Sequence, residues 1–472
     1  KGTTDWKQYT IKLDYNSEEV KTLYFGGLLS GDGKVWFDNF ELFIDGLPIN
    51  SSELKKLTLA KAKTDTTFAN GSKMKDFKLD NQITNNLVAA GQFWGFLKYH
   101  HPTIAKGKLN WDAELFRLLP TVINAKNNTE LSTALENFLD KFPKPKLCKD
   151  CKKIGNQAYE IKPDYGLLFD KKLFKPSLLD KLEYIKENRN TGRNYYVQME
   201  PGVSNPNFNK EVGYMDMKYP DVGYRLLSLY RYWSIINYFF PYRDVIGQDW
   251  NGVLKKSIPE FVDAKNELDY AKASLKLIAS INDTHANLWS GSKALNDFKG
   301  KYAAPLQTTF IEKKLVITSL YKDTLDVKSK LKVGDVITAI NGKDIDLLIK
   351  DFLPFTPASN YDTQLRDLPN VYLLRGNEIR MTIKINRDGN HFDYDLPMRT
   401  YGRGGRDVDF EKAEAFKLIN GNIGYVFPGK YKNSMLPDIK KLFANTKGIV
   451  IDMRCYPSEF MPYTFGSYIK ST

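Results

Sequence analysis

Histidine and cysteine are scarce in this chain: among 472 residues there are four histidines and three cysteines, which narrows the metal and redox chemistry it can hold. Cys148 and Cys151 stand together in LCKDC, and Cys455 is alone. A structural zinc needs about four ligands; with neither a second Cys pair nor a nearby His, no metal and no other cofactor is expected. A thioredoxin-like role is disfavoured because the pair does not lead from a strand into a helix. The plain reading is a loop, stapled by a short disulfide if the protein is exported. Long apolar runs are also missing. The most apolar segment, LLSLYRYWSIINYFF, carries Arg231 in its middle and falls short of the roughly 18 residues of a spanning helix, so no transmembrane segment is expected. The sequence opens on Lys1 rather than Met and shows no charged-then-apolar leader; an export signal is expected to have been removed or to lie outside it.

Arginine clusters are absent too, although the net charge is +13 and the pI near 9.1. The positive residues are mostly lysines interleaved with acids, as in KKLTLAKAKTDTTF and LDKLEYIKENRN. Such patterns are solvated faces, and without an Arg cluster or a base-stacking motif no nucleic acid is expected as a partner. No spaced pair of carboxylates marks a glycan-cleaving site. What is abundant is ordinary globular material, 42% hydrophobic and 26% charged, with 28 Tyr and 28 Phe. The length exceeds one hydrophobic core and suggests three or four domains of a multidomain α+β protein.

Residues 1–50 read as strands. KQYTIKLDY, TLYFGGLLS and KVWFDNFELFI alternate apolar and polar positions around the turn clusters NSEE and SGDG, as a half-buried sheet requires. The stretch GGLLSGDGKVWFDNFELFIDG resembles the closing strands of carbohydrate-binding-like sandwiches, which implies a partial β-sandwich, its first strands outside this sequence, acting as a spacer or as a glycan contact.

From about residue 80 the period becomes helical, and the chain repeats itself. Residues 93–127 match 232–266 without a gap at an offset of 139, pairing Trp94 with Trp233, Tyr99 with Tyr238, Trp111 with Trp250 and Pro120 with Pro259. The expectation is a helical domain over 80–295 with two copies, 93–140 and 232–279, and an insertion between them. Large aromatics at these spacings belong to a core. His100 and His101 face Phe239 and Phe240 in the alignment, which favours packing over metal ligation. His285 differs: its counterpart is Lys146 in FPKPK, so the second copy departs from the shared frame on reaching INDTHANL.

Residues 300–400 return to short strands. LKVGDVITAINGKDI places Asn341-Gly342 between apolar alternations, the signature of a type I′ hairpin. It resembles the same hairpin of PDZ domains, and LLRGNEIRMTIKINRDG resembles their last strands; the resemblance implies an extended peptide added at a sheet edge. Residues 411–472 read strand, helix, strand. GIVIDM is apolar on both faces, as in a buried parallel strand, and opens an α/β domain.

The order of these parts, RLLSLYRYWSIINYFFPYR, INDTHA, the PDZ-like unit, then GNIGYV and KGIVIDMR, resembles the C-terminal-processing and tricorn-type serine peptidases over about residues 80–472. The resemblance implies that His285 is the general base, that Thr284 belongs to its catalytic network, and that a peptide or protein is the substrate. It places the nucleophilic serine and its acidic partner after the strand GIVIDMR, beyond Thr472, and it implies a secreted, periplasmic or cell-surface bacterial protein. Ser458 is not nominated as nucleophile. It lies in RCYPSEF, where relatives carry a glycine-rich turn that shapes the oxyanion site, and Pro457 has no N–H to donate. The competing expectation is a catalytically degenerate scaffold that binds peptides or glycans.

Overall fold

Two stretches 139 residues apart build the same three helices. In the first they are α1 (Asn81–His100), α2 (Trp111–Asn124) and α3 (Asn128–Leu139). After the helix α4 (Pro176–Glu187) of the insertion come α5 (Val222–Phe239), α6 (Trp250–Val262) and α7 (Glu267–Ala279). The computed structural model describes residues 5–13, 24–27, 29, 33–51, 60–149, 151, 161–289, 292–321, 325–402, 414–453 and 455–470. The chain is a mixed α+β protein in two units, one of residues 1–295 with 354–360 and one of residues 296–353 with 361–472.

The six helices of the two copies start where short Asn and Asp side chains take orphan N–H groups. Asn127 accepts from the Glu130 N–H, and at the same place in the second copy Asn266 accepts from the Asp269 N–H. The acids reply in kind, Glu130 accepting from the Lys126 N–H and Asp269 from the Lys265 N–H. Inside each copy two tryptophans exchange bonds. Trp94 Nε1 donates to the Trp111 carbonyl (2.9 Å) and Trp111 Nε1 to the Trp94 carbonyl (3.0 Å), while Trp233 and Trp250 do the same at 2.8 and 3.0 Å. All four indoles are buried and each N–H is satisfied, the condition for putting tryptophan in a core.

Helices α1 and α5 meet through matching positions. A Cβ on Gly91 would stand 2.6 Å from the Tyr230 ring, and one on Gly95 would stand 2.2 Å from Ser234 Oγ. The Tyr99 and Tyr238 rings are 5.5 Å apart. Each of these pairs is separated by 139 residues in the sequence, so the two copies are related by a local twofold. The missing side chains on one partner make room for the larger residue on the other.

The partial sandwich expected over residues 1–50 is described only in part. Their described residues form one hairpin, β1 (Phe43–Ile44) against β2 (Leu47–Pro48). Residues 1–4, 14–23, 28 and 30–32 of the expected strands lie outside the described residues. Residues 7–13 are described and form no strand, with Tyr9, Ile11 and Leu13 exposed. Alternation specifies a strand only where a neighbouring strand and a covering layer take up its bonds and its apolar face.

The second unit centres on an antiparallel sheet of β3 (Leu306–Ile311), β4 (Lys314–Leu320), β5 (Val336–Ile340), β6 (Lys343–Asp344), β7 (Arg380–Arg387) and β8 (Asn390–Pro397), ordered β8-β7-β5-β4-β3 with β6 on β5. Ile317, Ile337, Ile383, Ile385 and Leu396 supply its buried face. Asn341 and Gly342 turn the β5–β6 hairpin with φ of 48° and 77°, the left-handed pair that a type I′ turn demands. The Asp335 carboxylate is clamped by Arg387 at 2.6 and 2.7 Å. Burial works against the charge, but the Arg387 bonds and the Lys332 N–H hold this carboxyl below its usual range. Further along, β9 (Phe416–Ile419) pairs antiparallel with β10 (Ile423–Val426), and β10 pairs parallel with β11 (Gly448–Ile451) across the helix α8 (Leu436–Leu442). The strand β11 is parallel as expected but not buried on both faces. Ile449 and Ile451 pack on the Val426 and Phe443 cluster, whereas Val450 is exposed, because no described layer covers that side.

Candidate functional site

The histidines of the first unit divide by environment. His100 stacks on Phe96 at 4.5 Å between Tyr165 and Tyr238, with Nδ1 3.0 Å from the Phe96 carbonyl. His101 is buried and takes the Thr103 N–H on Nδ1. Burial pulls both imidazoles down to about 4, so both are neutral packing groups at neutral pH. His285 is the opposite, with a side chain 99% exposed.

The turn that carries it forms because α7 has to stop. Asn282 adopts a left-handed φ of 53° and its side chain donates to the Ile246 carbonyl at 2.7 Å. Asp283 then folds the chain locally: its Oδ1 accepts the His285 N–H at 2.8 Å and its carbonyl accepts the Ala286 N–H at 3.1 Å. Trp289 Nε1 donates to the His285 carbonyl at 3.2 Å. The first copy cannot build this turn. Thr284 corresponds to Pro145, and Asn282 to Pro143, neither of which has an N–H.

Thr284 is held by a residue far away in the chain. Its hydroxyl lies 2.8 Å from Ser359 Oγ, its N–H donates to Ser359 Oγ at 3.3 Å, and the Ser359 N–H donates to Thr284 Oγ1 at 3.1 Å. Among the described residues the Thr284 hydroxyl makes no hydrogen bond to the His285 ring. Among the described residues the ring's charged neighbour is Asp283, with Nδ1 3.6 Å from Oδ1, just outside hydrogen-bond reach. Ser359 escaped the sequence reading. It sits in TPASN, an undistinguished turn cluster, and no spacing rule connects positions 75 apart.

Beside this turn is a cavity of about 490 Å³ walled by Tyr214, Met215, Tyr232, Ile235 and Leu288, with Arg231 at its edge. Arg231 belongs to a buried ionic group. It pairs with Asp112 and, at 2.9 Å, with Glu211, which also binds Lys98 at 2.5 Å; Tyr214 donates to Asp112 at 2.9 Å. Burial lowers the Lys98 ammonium from its usual range against the pull of Glu211. Two cations and two anions cancel, so the group offers no net charge to a ligand.

Ser458 has a structural place. Its hydroxyl bonds the Pro428 carbonyl at 3.1 Å and the Tyr431 carbonyl, and its N–H donates to Pro428 at 2.9 Å. Cys148 and Cys151 form a disulfide, and Cys455 is free. Among the described residues no cluster of His, Cys, Asp and Glu could hold a metal, and no helix is long and apolar enough to cross a membrane.

No family model matches the chain, and no curated protein matches it. Among solved structures it is similar to a photosystem II D1 C-terminal processing protease, with a TM-score of 0.25 and 14% identity over 48% of this chain. The chain spans 60% of that protein's length.

Proposed function

We propose that this chain carries the base-bearing part of a serine peptidase of the C-terminal-processing, tricorn-like kind, with His285 as general base and Thr284 in its network. The observation that carries the reading is a fully exposed imidazole on a turn in which the Thr284, His285 and Ala286 amides are all hydrogen-bonded. A packing histidine needs no such exposure, and a surface histidine needs no such anchoring. A serine hydroxyl is a poor nucleophile near neutral pH and requires an imidazole to take its proton. With Nδ1 turned to Asp283, Nε2 is the nitrogen left to accept that proton and later return it to the leaving amine. The nucleophile is the serine that the sequence resemblance places C-terminal to β11. The PDZ-like sheet would hold the substrate as an extended strand added at its edge. The disulfide suits an exported protein.

The test is hydrolysis of an unstructured peptide by the intact protein. His285→Ala lowers kcat by on the order of 10³-fold or more with peptide binding retained. An unchanged rate removes His285 from the mechanism. Binding without any cleavage by the wild type points to a peptide-binding scaffold instead.

A further inference from the structure

We infer that Ser359 is a positioning residue that clamps the Thr284–His285 turn; this rests on the reading of His285 as the base. The Thr284 and Ser359 pair is reciprocal, each N–H donating to the other's hydroxyl oxygen, with the two oxygens 2.8 Å apart. Two hydroxyl hydrogens are available and the bond between the oxygens uses one. The other stays on whichever of the two hydroxyls accepts that bond.

Local bonds alone leave the turn incomplete. The His285 and Ala286 amides are taken by Asp283, whereas the acceptor for the Thr284 amide comes from Ser359. An amide with no such acceptor would reopen the turn, and the Cβ direction of His285 would move with it. Ser359 can serve as an anchor because its own segment is fixed. Thr356 and Ala358 are buried, and the Phe355 ring lies 5.6 Å from both Lys272 Nζ and Lys276 Nζ on α7. The clamp and the base therefore hang from the same helix. Displacement of a catalytic group by about 1 Å costs up to 10²-fold in rate, which sets the size of the effect.

The experiment compares Ser359→Ala and Ser359→Thr with wild type in the intact protein, by hydrogen exchange of peptides covering 281–289 and by turnover of an unstructured peptide. Ser359→Ala should speed exchange there about tenfold and lower kcat by roughly 10–100-fold with KM nearly unchanged. Ser359→Thr keeps the hydroxyl and should restore both. Thr284→Val should add little to Ser359→Ala, because the two act as one unit. Unchanged exchange in Ser359→Ala overturns the clamp, as does faster exchange with undiminished kcat while His285→Ala abolishes turnover. If His285→Ala leaves turnover intact, the reading of the base fails, and the exchange data alone judge the clamp.

Discussion

Gln92 and Arg231 occupy the same position of the two helical copies, and each reaches the counterpart of the other's partner: Gln92 Nε2 donates to Asn251 Oδ1 at 2.9 Å, while Arg231 pairs with Asp112. Position 112 plus 139 is 251, and 92 plus 139 is 231. One twofold-related contact is thus an amide pair and the other an ion pair. The neighbours follow suit. Asn237, the counterpart of Lys98, donates to the Asp164 carbonyl, where Lys98 itself pairs with the Glu211 carboxylate.

This duplication offers a direct comparison of charged and neutral versions of one buried contact. Arg231→Gln or Asp112→Asn alone strands a charge and should cost about 3–5 kcal/mol. Together they reproduce the Gln92–Asn251 pair, and the double variant should be more stable than additivity predicts by at least about 1 kcal/mol. Denaturant unfolding followed by tryptophan fluorescence measures it, since all seven tryptophans lie in the first unit. Additive losses would show that Asp112 and Arg231 are not coupled.

Acid should loosen the first unit through its buried histidines. His100 and His101 are held near 4 in the fold against about 6.5 when unfolded. Between those values the unfolded chain binds the extra protons, so stability rises with pH and falls on acidification from about 6.5 to 4. The slope is about 1.4 kcal/mol per pH unit for each histidine. His100→Phe, which copies Phe239, should remove one share of that slope; an unaltered slope would mean that His100 does not titrate with folding.

The contact of Gly91 with Tyr230 leaves no room for a methyl group, at 2.6 Å from an ideal Cβ. Gly91→Ala should cost about 1–3 kcal/mol despite alanine's better helix propensity, and Tyr230→Phe should not relieve it. A stabilised Gly91→Ala protein would contradict the close crossing of α1 and α5.

The second unit has a separate readout. Asn341 sits at φ 48° and its side chain accepts the Thr382 N–H at 3.0 Å. Asn341→Ala loses that bond and strains a left-handed position, a cost of about 1–2 kcal/mol. Far-UV circular dichroism should register the shift with no change in the fluorescence transition. A shift in both would mean that the two units unfold together.

Sequence alone determined the elements whose cause is local. Asn and Asp caps opened the helices, Trp111 and Trp250 began theirs, and Asn341-Gly342 had to turn because few other residues accept two positive φ values. The odd position of His285 was also legible, since a duplicated chain shows where its copies part. What tertiary structure decided was every contact between distant residues of unlike appearance. Asn86 and Arg225 share one role, donating to the carbonyls at the ends of α2 and α6, though nothing in their chemistry announces it. Ser359 meets Thr284 only because packing on α7 brings a plain loop to an exposed turn. Residues 7–13 show the reverse: alternation alone formed no strand, since hydrogen bonds across a sheet come from partners that a local pattern cannot supply.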